Sequence, residues 1–279
     1  PDFDLVGGIS PRSSLDGLTS FSNLGALIEA TGATAVAINT PPQVRFVIAK
    51  QAILTGIDVL LEKPPCASVS EILELERLAK KCGVTLYTGW HSQHAPAVDP
   101  ARSWLESKTV QTVNLHWAED VRKWHPGQDW VFEPGGMGVF DPGINALSIL
   151  TDILPMPVHV TAATLEFPEN RDTPIAAQIS FSGGVTADFD WRQEGPQTWD
   201  IEIETDAGPC ALRLGGNRFE VAGKDVAGEE SIMGEYPKLY ARMAELVRGG
   251  LSEVDLAPMV HVADALTLGQ RVVTDPFAF

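Results

Sequence analysis

Asp58-Val59-Leu60-Leu61-Glu62-Lys63-Pro64-Pro65 decides how the chain is read. An apolar run of strand type ends in a charged pair, and two prolines stop it at once. Flanking segments carry apolar residues at helical spacing: Val44, Val47 and Ile48 before it, Ile72, Leu75, Ala79 and Cys82 after it. A short apolar run between helices reads as a parallel strand buried on both faces. Open α/β sheets meet their ligands at the carboxyl ends of such strands, where Glu62 and Lys63 stand. Alone, the same pair is also what a solvated loop looks like.

Outward from that run, strands and helices keep alternating. Residues 3–9 read as a strand, Ser10-Pro11-Arg12-Ser13-Ser14 as a loop, and 24–30 as a short helix. A second buried strand at 34–39 is broken by Thr40-Pro41-Pro42. The helix at 44–54 ends at Gly56, and Ser68-Val69-Ser70-Glu71 is a capping-box pattern opening the next helix, which Gly83 closes. Residues 84–90 form the following strand. Such alternation implies βαβ units, and right-handed crossovers put all strand ends on one edge. That rim collects Ser10 and Arg12, Thr40-Pro41-Pro42, Glu62-Lys63 and Trp90-His91.

Beyond residue 91 the character changes. Residues 101–107 read as a short helix, 110–118 as an alternating strand, and Gly135-Gly136-Met137-Gly138 leads into a helix at 142–154. Alternating segments follow at 158–167, 175–181, 185–191, 201–205 and 210–214, with hairpin signals at Ser182-Gly183-Gly184 and Gly215-Gly216-Asn217. Residues 236–248 and 258–273 read as helices. The expected fold is an α/β Rossmann-type parallel-sheet domain at 1–91 for dinucleotide binding. An α+β domain with a large open, mainly antiparallel sheet follows at 92–279, for substrate binding and oligomerisation.

Composition narrows the partners. Hydrophobic residues make up 44% and charged residues 20% of the 279, which suits a globular protein. A formal net charge of −17 argues against nucleic acid and anionic membrane, whose phosphates it would repel. Cys66, Cys82 and Cys210 show no C-x-x-C spacing, so neither a disulfide framework nor a metal site is expected, and a reducing, cytoplasmic setting is. No apolar run reaches the length of a membrane span, and no signal-peptide pattern opens the sequence.

A dinucleotide-binding fold normally opens with a strand, a G-x-G-x-x-G turn and a helix whose N-terminus holds the pyrophosphate. No such motif is present, and Gly7-Gly8 lies inside a predicted strand. The sequence starts at Pro1, without Met. The expectation is that roughly thirty residues, a first strand and its Gly-rich turn, precede it. At the end of the second strand an acid favours NAD, whereas a nearby Arg accommodates the 2′-phosphate of NADP. Ser10 and Arg12, with no acid until Asp16, read as a 2′-phosphate site, so NADP is the expected cofactor and NAD is also accepted. A solvated loop arginine is the plainer reading of Arg12. Asp141 before Pro142 equally suits a helix N-cap, and Asp141 and Asn145, four apart, share one helix face.

Glu62-Lys63-Pro64 at a parallel strand end, followed by Gly135-Gly136 and the Asp141-x-x-x-Asn145 helix start, resembles the Gfo/Idh/MocA family of NAD(P)-dependent oxidoreductases. The resemblance runs over essentially the whole chain. A closer likeness is to the bacterial aldose 1-dehydrogenase branch, of L-arabinose and D-galactose type. Residues 37–44, 61–65, 89–92 (Gly-Trp-His-Ser), 119–130 and 133–149 carry it. It implies oxidation of a sugar C1 hydroxyl, with Lys63 and Asp141 catalytic and Glu119, His125 and Asn145 holding sugar hydroxyls beside them. Thr40, Pro41, Pro42, Glu62, Lys63, Trp90 and His91 then line the cofactor with Ser10 and Arg12. The family commonly has His, often the acid/base, where Asn145 stands, and an amide does not titrate. The O1 proton then goes either to Asp141, with Lys63 stabilising charge on O1, or to Lys63, held in place by Asp141. The family also implies a homodimer or higher homo-oligomer through the open sheet face. Rival readings are a non-catalytic sugar or dinucleotide sensor of the same fold, and a dehydrogenase of inositol or another cyclic polyol. Trp90, Trp104, Trp117, Trp124 and Trp130 cluster in the sequence near the substrate segment, although buried core is the commoner use of indoles. Cys66 reads as a small buried residue, not a nucleophile.

Overall fold

The computed structural model describes residues 2–10, 17–228 and 234–279; Arg12 lies outside them. Residues 3–9 form no strand. Among the described residues their one pairing is an isolated bridge between Gly8 and Ser20, and Leu5, Val6 and Ile9 are exposed. A ladder needs a neighbour running the length of the segment, and the described residues supply none.

Helix α1 (Leu24–Thr31) starts at Asn23, whose side chain accepts from the Ala26 N–H, and ends on left-handed Gly32. It leads to β1 (Ala35–Ile38), α2 (Pro42–Leu54), β2 (Asp58–Glu62), α3 (Val69–Cys82) and β3 (Leu86–Gly89). The strands lie parallel in the order β1-β2-β3, with Ala35 opposite Asp58 and Val59 opposite Leu86. Val59, Leu60 and Leu61 are buried on both faces, as the apolar run requires. The capping box of Ser68 and Glu71 and the Gly83 cap both form on α3.

The chain continues through α4 (Val98–Leu105), β4 (Val110–Ala118), the single turn α5 (Val121–Trp124) and α6 (Phe140–Ile153). Then come β5 (Val160–Pro168), β6 (Ala176–Phe181), β7 (Val185–Asp190), β8 (Thr198–Thr205), β9 (Gly208–Arg213), β10 (Arg218–Val221) and β11 (Lys224–Gly228). Helices α7 (Glu235–Gly249) and α8 (Ala257–Leu268) and strand β12 (Gly269–Thr274) complete it. The large sheet runs β11-β10-β9-β8-β4-β7-β6-β5-β12, antiparallel except where β4 meets β7 and β5 meets β12. The helix expected over 258–273 therefore stops at Leu268. Gly269, Val272, Val273 and Thr274 extend it as a strand, because β5 offers a free edge and a Cβ at Gly269 would strike the Ala265 carbonyl at 2.4 Å. The β10–β11 hairpin was not legible beforehand; Ala222 and Gly223 turn it with positive φ.

Helices α4, α6 and α8 lie on one face of this sheet. Of them α6 is buried almost throughout, from Phe140 to Ile153. Gly143 lets it press onto β7, since a Cβ there would stand 2.6 Å from the Phe189 ring. The small sheet is covered from the far end of the chain: Leu239, Met243 and Leu246 of α7 pack with Leu60 and Tyr87. Its β3 edge is taken by Glu253, whose backbone pairs with Leu86 and Thr88. Among the described residues, no helix is long and apolar enough to cross a membrane.

Gly143→Ala forces a methyl group into Phe189, and overpacking of this kind costs about 1–3 kcal/mol. The urea midpoint should fall with the unfolding slope unchanged. A midpoint equal to the parent's would mean that α6 does not press on the sheet at this point.

Candidate active site

Lys63 leaves the end of β2 and reaches across to α6. Its Nζ donates to Asp141 Oδ2 at 3.0 Å and to the Asp141 carbonyl at 2.9 Å. Asp141 is not the N-cap its Pro142 neighbour suggested. Helix α6 opens at Phe140 behind Val139 with no side-chain cap, so the carboxylate is free to turn to other partners. The second of these is His125 Nε2, 3.2 Å from the same Oδ2. Only 4% of the Asp141 side chain is exposed, against 17% for Lys63 and 20% for His125. Burial opposes ionisation of Asp141, but Lys63 and His125 outweigh it and hold the carboxyl well below the usual carboxylate range.

Glu119, just past β4, is buried beside them. Its Oε1 accepts from Trp191 Nε1 at 3.1 Å and its Oε2 from Trp199 Nε1 at 2.9 Å. Burial pushes its carboxyl up, against the Trp191 N–H, the Lys63 charge and the Trp199 N–H. Trp199 stacks on Trp117 with centroids 5.8 Å apart and leans on Trp124 at 5.6 Å. His125 meets Trp130 and Trp191 edge-on, at 5.9 Å and 5.4 Å. Asn145 follows one turn after Asp141, half-buried, its side-chain amide without a partner among the described residues. Lys63, Asp141 and His125 are thus in direct contact, and Glu119 is joined to them through Trp191. Trp191 and Trp199 were not foreseen, although Val185, Ala187, Phe189 and Trp191 share the inward phase of one alternating strand.

The ends of β1, β2 and β3 gather on one rim as expected, whereas the strand expected before Ser10 does not form. Arg45, buried on α2, donates to the carbonyls of Thr40, Glu62 and Pro64, which ties the ends of β1 and β2 together. Burial draws its guanidinium down to about 10, so it stays charged at neutral pH. Its place was legible in outline, because Arg45, Ala49 and Ala52 fall on one buried helix face. Glu62 accepts from the Lys63 backbone N–H and, at 2.8 Å, from the Tyr236 hydroxyl of α7. His91 stacks on Tyr236 and bonds Glu235 through Nδ1. Trp90 is 2% exposed within the main core, and its indole N–H goes to the Asp255 carbonyl at 3.1 Å. Ser10 is half-buried at the edge of the described residues. Cys66 is buried, which pushes its thiol up to about 12 and leaves it inert. A dinucleotide fits this rim on one direct observation: the buried Thr40 hydroxyl, beside Pro41 and Pro42 at the start of α2, has no hydrogen-bond partner. Among the described residues no group of three or more His, Cys, Asp or Glu could hold a metal ion.

Comparison with known proteins gives a consistent picture. The model of the Gfo/Idh/MocA oxidoreductase family, NAD-binding Rossmann fold, matches residues 12–90. A galactose 1-dehydrogenase of Pseudomonas fluorescens is 39% identical over 286 residues, covering 99% of this chain and 91% of that one. The crystal structure of a D-galactose-1-dehydrogenase from Rhizobium etli superposes with a TM-score of 0.90 at 48% identity, over 99% of this chain and 90% of the other. A 3-ketoreductase from Actinomadura kijaniata, solved with TDP-benzene and NADP, shares the fold at a TM-score of 0.78 and 17% identity, over 92% of this chain and 85% of its own.

The low Asp141 pKa sets a pH dependence of stability. The unfolded chain takes up this proton more readily than the folded one, so the stabilisation is complete above the ordinary carboxylate pKa of about 3.9 and fades as pH falls below it. The stability gap between wild type and Asp141→Asn, read by urea melts, should be widest near neutrality and narrow below about pH 4. A gap independent of pH would show that the carboxylate is not held ionised.

Proposed function

The chain belongs to the Gfo/Idh/MocA oxidoreductase family, and from that premise we propose that it is an NADP⁺-dependent aldose 1-dehydrogenase. It oxidises the C1 hydroxyl of a pyranose, of D-galactose or L-arabinose type, to the lactone, and NAD⁺ is also accepted. The observation that carries this reading is the Lys63–Asp141 contact at the rim of the small sheet, with Glu119 and His125 beside it. A pure sensor need not keep a buried lysine–carboxylate pair together at that rim.

Thr40, Pro41, Pro42, Glu62, Lys63 and His91, with Ser10 and Arg12, would hold the dinucleotide. When bound, its nicotinamide supplies the two-electron acceptor for the C1 hydrogen. The remaining work falls to side chains. Asp141 is the poorer of the two candidate bases, since protonating it would sacrifice its contacts with both Lys63 and His125. Lys63 donates to Asp141 at two points, and its remaining position meets O1: as Nζ gives up a proton toward Asp141 it takes the one on O1, and it stabilises the charge that develops there. Glu119, His125 and Asn145 bind the other hydroxyls, and the indoles of Trp124, Trp130 and Trp199 exclude water and face sugar C–H surfaces.

The outer face of the large sheet carries Asn114, His116, Gln178, Asp188 and Glu202, exposed and uncovered by any described helix. We assign it to contact with a second copy of this chain. Light scattering behind a sizing column should give at least twice the 30.1 kDa chain mass. A monomer would remove the assignment.

The reading itself is tested by following reduced cofactor at 340 nm with NADP⁺ and NAD⁺ against aldoses, inositol and other cyclic polyols. Turnover of a D-galactose or L-arabinose type pyranose is expected. Lys63→Ala and Asp141→Ala should each lose about 100-fold or more in kcat, the range for removing acid–base groups. Cofactor binding without turnover of any polyol would favour the sensor, and retained kcat in either variant would take that residue out of the mechanism.

A further inference from the structure

Asp141 Oδ2 has a nitrogen on either side, Lys63 Nζ at 3.0 Å and His125 Nε2 at 3.2 Å. The aspartate is sealed from water, whereas the lysine and the histidine each keep part of their surface open. Asp141 therefore lies between two routes to solvent. In the dehydrogenase reading, the sugar C1 hydroxyl docks on Lys63 and closes that side. A proton taken at Nζ must then leave through Asp141, and His125 is the group beyond it.

The imidazole is fixed for such a transfer. Trp130 and Trp191 bracket the ring edge-on. Its Nδ1 faces Gln128 Oε1 at 3.4 Å, and that amide oxygen is itself oriented by Trp130 Nε1 at 3.0 Å. Pro126 and Gly127, next along the chain, are exposed, so the ring stands at the border of the water. The charged group facing it is Asp141, with Lys63 and Glu119 behind. Arg122 and Lys123 of α5 turn away, to Asp120, Glu194 and Gln197.

We propose that His125 carries the C1 hydroxyl proton from the Lys63–Asp141 pair to solvent, a role resting on the dehydrogenase reading and additional to any sugar contact. Lys63, an ammonium while it pairs with Asp141, gives one proton to Oδ2, and the lone pair this frees on Nζ takes the O1 proton as the O1–H bond breaks. The imidazole yields its Nε2 proton to water and takes the one on Oδ2 in its place, which restores the carboxylate. A bound oxidised nicotinamide would supply the acceptor for the C1 hydrogen and its electron pair, which balances the loss of the O1 proton as C1 becomes a carbonyl. Each lactone thus accounts for one reduced cofactor and one released proton. Because Asp141 strongly favours its ionised form, it serves as a transit point and not a resting place for the proton.

The test is chemical rescue. His125→Ala leaves a gap bounded by Trp130, Trp191 and Asp141. With the best aldose of the panel and saturating cofactor, its kcat should fall about 100-fold and return in proportion to added imidazole. Without cofactor or sugar, imidazole should raise the melting temperature of the variant and not of the parent. His125→Gln, which fills the ring's volume, should show the same fall in kcat with no response to imidazole. A variant that melts like the parent yet regains nothing from imidazole overturns the relay, as does a raised sugar KM with kcat within about twofold of wild type in either variant. If His125→Ala does not fold, the kcat of His125→Gln decides. Wild-type inactivity toward every aldose would overturn the dehydrogenase reading itself, and the relay with it.

Discussion

The site depends on one buried carboxylate. Asp141 brings together β2, through Lys63, and the turn after α5, through His125, at the first turn of α6. Sealing a carboxylate from water is costly unless it is paired, and breaking such a pair by removing one partner typically costs about 3–5 kcal/mol. The position of α6 against the small sheet is therefore set by charge as well as by packing. Lys63 also bonds the Asp141 carbonyl, so the contact fixes helix backbone as well as side chain. A displacement of either layer would separate the charges, which couples the integrity of the fold directly to the geometry at Lys63 Nζ.

That coupling is useful only if Lys63 itself is held still. Its strand end is gripped from two sides. Arg45 collects the carbonyls on either side of Lys63, those of Glu62 and Pro64, together with that of Thr40. Tyr236, from the far end of the chain, takes one oxygen of Glu62 while the other accepts the Lys63 N–H. Burial, reinforced by the Glu62 charge, pushes the Tyr236 hydroxyl up, so it remains a donor across the working pH range. A flexible lysine side chain is thereby mounted on a rigid base, which is the arrangement that orientation-dependent catalysis requires.

How far the sequence foretold this depends on whether a feature is local. The apolar run of β2, the capping box of α3 and the alternation of β4 are written in consecutive residues, and all three are where periodicity puts them. Lys63 was legible for the same reason, being the polar residue at the end of a buried strand. Asp141 was ambiguous, because Asp-Pro reads as a cap and its partners lie 16 and 78 positions away, at His125 and Lys63. Trp90 shows the converse. Its position at a strand end is right, but the segment around Asp255 returns from far along the chain to bury it. The helix expected to run to residue 273 failed likewise, since strand pairing with β5 overrode a weak helical pattern. Arg45 left a trace in its helical phase, whereas Tyr236 and Trp199 left none.

On the proposed reading, selectivity among sugars follows from how Glu119 is held. A carboxylate on an open surface can rotate and satisfy hydroxyls from many directions. Here each oxygen is already engaged by an indole N–H, from Trp191 on one side and Trp199 on the other, so the remaining lone pairs point in fixed directions. The surroundings are buried and largely aromatic, so an acceptor left without its hydroxyl is not repaid by water. Sites built in this way reject analogues that lack the matching hydroxyl far more sharply than apolar pockets reject a missing methylene. On the proposed reading, epimers that differ at the hydroxyl facing Glu119 are told apart by that geometry.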